Sequence, residues 1–212
     1  MLLLDSNWYV VKSIEDKISQ GDILLNCPII LPVLPAVDYS RDHWYEEEFD
    51  VEYETYIHNV VVMTQACDLE RDPVSQVLVA RIEDVNHIDF PAPKNPGKPI
   101  TRKNYVEDIY SGAKPNLHLI GKNEIGIHLN YQIVDFASVF TIPYIILQEF
   151  AAQSGPRLRL NTPHREYLSQ RFGSFFSRIG LPNEDHITKK DLRSNVNTDQ
   201  KHFQVPENPN VE

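Results

Sequence analysis

An unbroken apolar run at residues 60–63 (VVVM) is the feature that most constrains how this chain folds. β-Branched residues without alternating polar positions are typical of a strand that is buried on both faces. The run stops abruptly at residues 64–68 (TQACD), so polar side chains are concentrated where the strand ends. The pattern predicts a central strand whose end forms either a site or a tight corner.

Other short strand patterns lie close to this run and predict an α+β fold that is mainly β. The second apolar strand follows a polar turn, and antiparallel pairing with the 60–63 run is the simplest arrangement. Predicted strands lie at residues 23–27, 51–63, 77–82 and 117–136, and predicted helices at residues 101–111, 142–152 and 163–179. Short strands at such close intervals are typical of a barrel or a sandwich.

Two segments of this β-rich part have a distinct composition. The prolines within residues 28–37 indicate an extended or edge segment rather than a central strand. Residues 51–56 alternate Val and Tyr with Glu, which predicts a half-buried strand. Between them, the acidic and aromatic residues 38–50 form either a solvated loop or a contact for a basic partner.

The C-terminal third predicts a short strand at an exposed sheet edge, residues 157–160, and then the clearest helix, residues 163–179. Thr162 is the expected cap, and Pro163 suits the first helical position. An apolar stripe at helical spacing should be buried on the barrel or on a second copy; it comprises Leu168, Phe172, Phe175, Phe176 and Ile179. Because the composition turns polar after residue 182, we expect one domain at 1–182 and a polar tail at 183–212.

The charge balance restricts the function classes. The formal net charge is −10 and the pI is about 5.2, which disfavours binding to a phosphate backbone. Two cysteines in dissimilar contexts form no metal-binding pattern, and no phosphate loop or dinucleotide fingerprint occurs, so no metal or cofactor is expected. The absence of a long apolar run predicts a cytoplasmic protein without a membrane span.

Cys67 and Asp68 are the candidate catalytic residues. A cysteine nucleophile needs a base, usually histidine, and none of the eight histidines has a spacing that marks it as that base. The alternative is structural: Cys67 is a small buried residue, and Asp68 accepts backbone N–H groups of a turn at residues 70–72. We predict the structural role, and we expect Cys27 to be inert core as well.

Candidate binding residues lie in two places. Thr64 and Gln65 are at the end of the central strand. Arg157, Arg159 and Arg165 begin a series of arginines that places local positive charge on an acidic chain. These arginines either pair with the acidic residues 46–48 or simply solvate the helix, or else they bind phosphate or an acidic partner.

Several of these stretches together resemble an uncharacterised bacterial family with a Ser/Thr-Gln-x-Cys-Asp-Leu signature. They are residues 21–24 (GDIL), 60–69 (VVVMTQACDL), 77–82 (VLVARI), 157–160 (RLRL), 165–170 (REYLSQ) and 178–182 (RIGLP). The resemblance covers most of the chain up to residue 182. The family has no established activity, so the resemblance implies none.

The order of strands is also similar to that of the MazF/PemK toxins, which are small SH3-like ribonucleases. This similarity implies a partly open SH3-like barrel with peripheral helices, including a C-terminal amphipathic helix. The chain lacks the basic character that those ribonucleases use against RNA, and residues 65–68 stand where they place a different polar turn. Catalysis is therefore not carried over.

Two function classes remain open. The acidic balance favours a non-catalytic binding or assembly module of a bacterial multi-component system, with a protein partner or a second copy as its ligand. The alternative is an enzyme, either a toxin-like nuclease or a cysteine-dependent hydrolase centred on Cys67.

Overall fold

In this computed structural model, residues 8–33, 51–71, 74–89 and 101–177 are described. The strands are β1 (Tyr9–Lys12), β2 (Asp22–Val33), β3 (Glu52–Val62), β4 (Gln76–Asp84), β5 (Leu117–Ile120), β6 (Gln132–Pro143) and β7 (Arg157–Leu160). The helices are α1 (Ala66–Arg71), α2 (Arg102–Tyr110), α3 (Tyr144–Gln153) and α4 (His164–Phe176). The acidic segment 38–50, the predicted tail and the predicted helix end at 178–179 lie outside the described residues.

All seven strands belong to one antiparallel sheet in the order β1-β7-β2-β3-β4-β6-β5, which confirms the mainly β class. The sheet is open, since no ladder within the described ranges joins its edge strands β1 and β5. The two edges nevertheless approach each other: the Tyr9 hydroxyl donates to the carbonyl oxygen of Gly121, 2.6 Å away, just after β5. A Cβ at Gly121 would lie 2.4 Å from the Trp8 ring, so only glycine permits this approach.

Strand β3 is central and buried on both faces at its C-terminal end, as predicted. Val61 and Met63 belong to a first core cluster, which Leu168 of α4 covers. Val60 and Val62 point to the opposite face and belong to a second core cluster, together with residues of α3. Residues 60–62 are each 0% exposed, and β3 pairs antiparallel with β4 as the sequence indicates.

The prediction of β7 as an exposed edge strand was wrong. β1 pairs along its outer side and β2 along its inner side, so β7 lies within the sheet. Leu158 and Leu160 are 2% and 1% exposed. The alternating arginines of this strand face a buried carboxylate rather than solvent, as the site geometry below shows.

The predicted stretch 117–136 divides differently in the structure. Residues 126–129, expected to be a strand, form no ladder; Asn123 and Leu129 share one isolated bridge. The Asn123 side chain donates to the carbonyl oxygens of Ile125 (2.8 Å) and Ile127 (2.7 Å), so a side-chain amide organises this loop in place of a strand ladder. Strand β6 continues to Pro143 along β4, which delays the start of α3 to Tyr144.

The predicted helix caps and the predicted apolar stripe of the C-terminal helix are confirmed in part. Thr101 caps α2 by accepting a hydrogen bond from the backbone N–H of Asn104 (3.2 Å), as predicted. Thr162 does not cap α4, because Pro163 occupies the N-cap position and the Thr162 hydroxyl donates to Glu166 instead. On the predicted stripe, Leu168 is fully buried; Phe172 and Phe175 pack half-buried on the first core cluster, and Phe176 is 48% exposed.

Replacing Leu168 with Ala should lower the free energy of unfolding by about 2–5 kcal/mol, because it removes a fully buried side chain between α4 and the sheet. The neighbouring Tyr167, 55% exposed, is the matched control, and Tyr167→Ala should change the value by less than about 0.5 kcal/mol. Chemical denaturation measures both. Equal stability of the Leu168→Ala and Tyr167→Ala proteins would show that α4 does not pack on the sheet.

Candidate functional site

Thr64 and Gln65 shape the corner at the end of β3. The Thr64 hydroxyl oxygen accepts the backbone N–H of Leu78 (2.7 Å), and the Thr64 N–H donates back to the Leu78 carbonyl (3.3 Å). The Gln65 carbonyl accepts the N–H groups of Asp68 (3.2 Å) and Leu69 (3.3 Å), which begins α1. Thr64 thus ties β3 to β4, and Gln65 starts a short helix where the sequence predicted a turn.

Cys67 is exposed, so the prediction that it is a buried core residue was wrong. Its Sγ lies 3.4 Å from Oδ1 of Asp68 and 3.6 Å from Oε1 of Gln65. The reason is the phase of α1, which turns Leu69 inward, at 4% exposure, and leaves Cys67 and Asp68 at the surface. Cys27 is buried, and burial raises the pKa of its thiol to about 11, so its prediction as core is confirmed.

Asp22, at the start of β2, is the acceptor of a buried ion-pair cluster. Asp22 is 0% exposed and Arg157 is 4% exposed. Arg157 Nε donates to Oδ2 of Asp22 (2.7 Å); Arg159 donates to the same carboxylate through Nε and through Nη2 (3.0 Å). The backbone N–H of Ser19 adds a further donor at 3.1 Å. Two guanidinium groups and a backbone donor thereby compensate the burial of one carboxylate.

The remaining donors of these arginines hold the segment that precedes β2. Arg157 donates to the carbonyl oxygens of Ser13 (3.0 Å), Asp16 (2.7 Å) and Lys17 (2.9 Å), and Arg159 Nη2 also donates to Lys17 O (2.7 Å). The structure therefore uses both predicted binding arginines to fasten residues 13–22 to β7. Their predicted partners at residues 46–48 lie outside the described ranges.

Arg165 lies apart from this cluster, in the first turn of α4. Its Nη2 pairs with Oε1 of Glu166 at 2.8 Å, and the two side chains are 29% and 49% exposed. The end of β3 and α4 are linked separately, because the Gln20 side chain donates to Met63 O (3.1 Å) and to Ser169 Oγ (2.8 Å). The predicted site residues consequently fall into three groups: the β3 corner, the Asp22 cluster and Arg165.

A surface of a different kind lies on the outer parts of β2 and β3, which form a two-stranded ribbon. We call residues 27–33 and 52–58 the arm. Within the described chain these residues pair only with each other, since β7 reaches β2 at Asp22 and Ile23 and β4 reaches β3 at residues 59–62. The arm thus extends beyond the strands that flank its base.

One face of the arm is uncharged and exposed. Residues directly opposite in an antiparallel pair share a face, so the register defines its members. They are Pro28, Ile30 and Pro32 of β2 and Tyr53, Thr55 and Ile57 of β3, which we call the arm face. Ile30 is 62% exposed, Tyr53 68% and Ile57 58%. Several exposed apolar side chains on one face are typical of an interaction site, whereas a single exposed hydrophobic residue is not.

The opposite face anchors the arm to the protein. Cys27 and Ile29 are 1% and 2% exposed within the second core cluster. A β-bulge between Leu24 and Cys27 inserts one extra residue into β2, and Asn26 takes a left-handed φ of 54° there. Because a bulge bends its strand and increases the local twist, it redirects the arm relative to the sheet.

The prediction of a half-buried strand at residues 51–56 was wrong, because residues 52–57 are exposed. Alternation at residues 51–56 predicted a half-buried strand, yet Tyr53 is largely exposed, and Tyr56, at 44% exposed, is also not buried. The informative pattern was the uncharged i, i+2 spacing of Pro28, Ile30 and Pro32. Prolines at these positions correctly indicated a strand outside the centre of the sheet.

No group of His, Cys, Asp or Glu side chains suited to a metal ion occurs among the described residues. None of the described helices is long and apolar enough to cross a membrane. No protein-family model matches the chain, and no curated protein matches it significantly. The resemblances drawn from the sequence motifs therefore remain predictions.

Asp22→Asn should lower the free energy of unfolding by about 3–5 kcal/mol, because it leaves two guanidinium groups next to a neutral amide in a buried position. Glu166→Gln makes the same chemical change in the exposed pair with Arg165 and should cost no more than about 1 kcal/mol. Urea denaturation of both variants provides the comparison. A similar, small loss in both would contradict the structural role of the Asp22 cluster.

Cys67 should react with iodoacetamide in the folded protein, because its side chain is exposed to solvent. Cys27 should react only after unfolding. Mass spectrometry of native and denatured samples distinguishes the two sites, and Cys67→Ser should abolish native labelling. Protection of Cys67 in the native protein would contradict the exposed position.

Proposed function

We propose that this protein is a non-catalytic binding module that engages a basic protein partner through the arm face. The observation that carries the proposal is an uncharged sheet face with Ile30, Tyr53 and Ile57 each more than half exposed. Leaving such a face in water is unfavourable by roughly 25 cal/mol per Å² of apolar surface, which covering by a partner would recover.

The chemistry of the arm suits the centre and the rim of a protein interface. Interface centres are depleted in charge and enriched in aromatic residues, and Tyr53 supplies a large exposed ring on the arm face. Glu52 and Glu54 alternate with it and point to the other face, where they add acidic groups to the rim. A stable interface involves roughly 20–30 residues on each side, so the arm face would form only its centre.

The charge of the chain indicates a basic partner. The segment 34–50, which joins the two strands of the arm, is rich in Asp and Glu, and Arg41 is its only Lys or Arg. With a formal net charge of −10, two copies of the chain repel each other, whereas a basic partner is steered towards the arm. A cytoplasmic bacterial assembly with a basic component is the setting that this proposal implies.

We also propose that the sheet forms a partly open SH3-like barrel. It is supported by the strongly curved arrangement that brings Tyr9 of β1 into hydrogen-bond contact with Gly121 after β5. A partly open barrel of this kind leaves the arm outside the closed part of the sheet.

A cysteine-dependent hydrolase is the second candidate, and the exposed Sγ of Cys67 favours it. The polar atoms in contact with that Sγ are oxygens of Asp68 and Gln65, and no histidine contacts it within the described part of the chain. A cysteine nucleophile needs a base to activate it, usually histidine, so the lack of a described histidine at this Sγ favours the binding module over the hydrolase.

Site-specific photo-crosslinking tests the binding module. The photoreactive residue p-benzoylphenylalanine replaces Tyr53 in one protein and Ile125, which is 83% exposed on a loop, in the control. We expect one basic protein to crosslink through position 53 and not through position 125. The purified partner should then bind the unmodified chain, and Tyr53→Ser should weaken binding by at least about tenfold while Ile125→Ser leaves it unchanged.

Three results would contradict the proposal. They are crosslinking of the chain to a second copy of itself, equal crosslinking from both positions, and a purified partner whose affinity does not respond to Tyr53→Ser.

A further inference from the structure

A cavity of about 270 Å³ lies between α2, β5 and α4, away from the arm and from the β3 corner. Its polar lining includes His118 of β5, and His164 and Arg171 of α4. Trp8, Tyr110 and Tyr167 supply aromatic walls. The volume is close to the lower limit of roughly 300 Å³ for small-molecule sites, so it suits a compact ligand.

The guanidinium and imidazole nitrogens that line this cavity have no hydrogen-bond or ion-pair partner among the described residues. No hydrogen bond or ion pair from elsewhere in the described chain engages the guanidinium of Arg171 or the ring nitrogens of His118 and His164. Arg165, on the same helix, is by contrast paired with Glu166. The guanidinium and the two imidazoles together present several N–H donors to the cavity, and none of the residues that line it carries a carboxylate.

His118 is held neutral near pH 7. Burial lowers the pKa of its imidazole to about 4, and the positive charges of Arg171 and His164 act in the same direction. Burial also lowers the pKa of His164, while Glu166 acts against that change. Neutral imidazole still donates one N–H, and the cluster therefore offers donors without the repulsion of three full positive charges.

The backbone is adapted to these side chains. Gly112, at φ +83°, leaves room for Arg171: a Cβ there would lie 3.0 Å from Nη1. The Trp8 ring stacks on His164 with the ring centres 3.5 Å apart and 14° between the planes, which fixes the imidazole orientation. Tyr110 and Tyr167, 81% and 55% exposed, stand at the rim of the cavity.

We propose that this cavity binds the phosphate group of a small phosphate monoester, with Arg171 as the charged donor and His118 and His164 as further hydrogen-bond donors. The planar guanidinium matches two phosphate oxygens at once, and imidazole N–H groups complete the shell. The exposed tyrosine rings at the rim suit a planar group attached to the phosphate, as in a nucleoside monophosphate. This site is independent of the arm face.

Trp8 fluorescence reports on occupancy directly, because the indole lines the cavity. The chain has two tryptophans, so Trp44→Phe leaves Trp8 as the only one. Inorganic phosphate, AMP and adenosine are titrated at constant ionic strength. Phosphate and AMP should bind, and adenosine should not. Tighter binding of AMP than of phosphate would show that the tyrosines at the rim contact the base. Equal affinity would show that the cavity recognises the phosphate group alone.

Arg171→Met should weaken binding of both phosphate and AMP by at least about tenfold, since it removes the charged donor and keeps an apolar side chain of similar length. Lys103→Met on α2, outside the cavity, is the matched loss of one positive charge and should leave both affinities unchanged. If Arg171→Met fails to fold, His164→Phe keeps a ring against Trp8 and should likewise weaken phosphate binding. The proposal is overturned by adenosine binding as well as AMP, by no response to phosphate or AMP, or by unchanged affinity in folded Arg171→Met.

Discussion

The buried carboxylate of Asp22 is the interaction on which the architecture depends. It accepts from Arg157 and Arg159 of β7, and the same guanidinium groups bind the carbonyl oxygens of the segment before β2. Two parts of the chain that are remote in sequence, residues 13–22 and β7, are therefore fixed at one point. Removing one partner of such a cluster leaves an uncompensated buried charge, so its members act as a unit. This arrangement gives a structural role to Asp22 in the Gly-Asp-Ile stretch and to both arginines.

The arm follows from how that cluster positions β2. The Asp22 end of β2 lies between β7 and β3, and a bulge at Asn26 then redirects the strand. Beyond the bulge, Cys27 and Ile29 remain buried, while alternate residues lose contact with the sheet. An isolated two-stranded ribbon is only marginally stable in water, and among the described residues this one pairs with no third strand and is anchored through Cys27 and Ile29. An exposed apolar face on a ribbon whose opposite face is anchored is suited to binding, whereas the β3 corner is occupied by internal hydrogen bonds.

Sequence reasoning succeeded where the signal was local. The valine run gave a doubly buried strand, and Thr101 gave a helix cap, because each depends on neighbouring residues. The Asp22–Arg157 pair spans 135 positions and no spacing rule indicates it. The sequence therefore placed β7 at an edge and left its arginines either paired with residues 46–48 or available to a ligand. Cys67 was predicted to be buried because a turn was expected there, whereas the structure forms helix α1, which places this residue at the surface. Residues 51–56 were predicted as half-buried because alternation normally separates a buried from an exposed face, yet residues 52–57 are exposed on both faces.

Hydrogen–deuterium exchange of the chain, alone and with the purified partner recovered through position 53, tests the binding module most directly. Alone, the amides of the arm should exchange faster than those of residues 60–62, which are fully buried at the centre of the sheet. With the partner present, new protection should be concentrated in residues 28–33 and 52–57. Protection at α1 or α4 without any change in the arm would contradict the account.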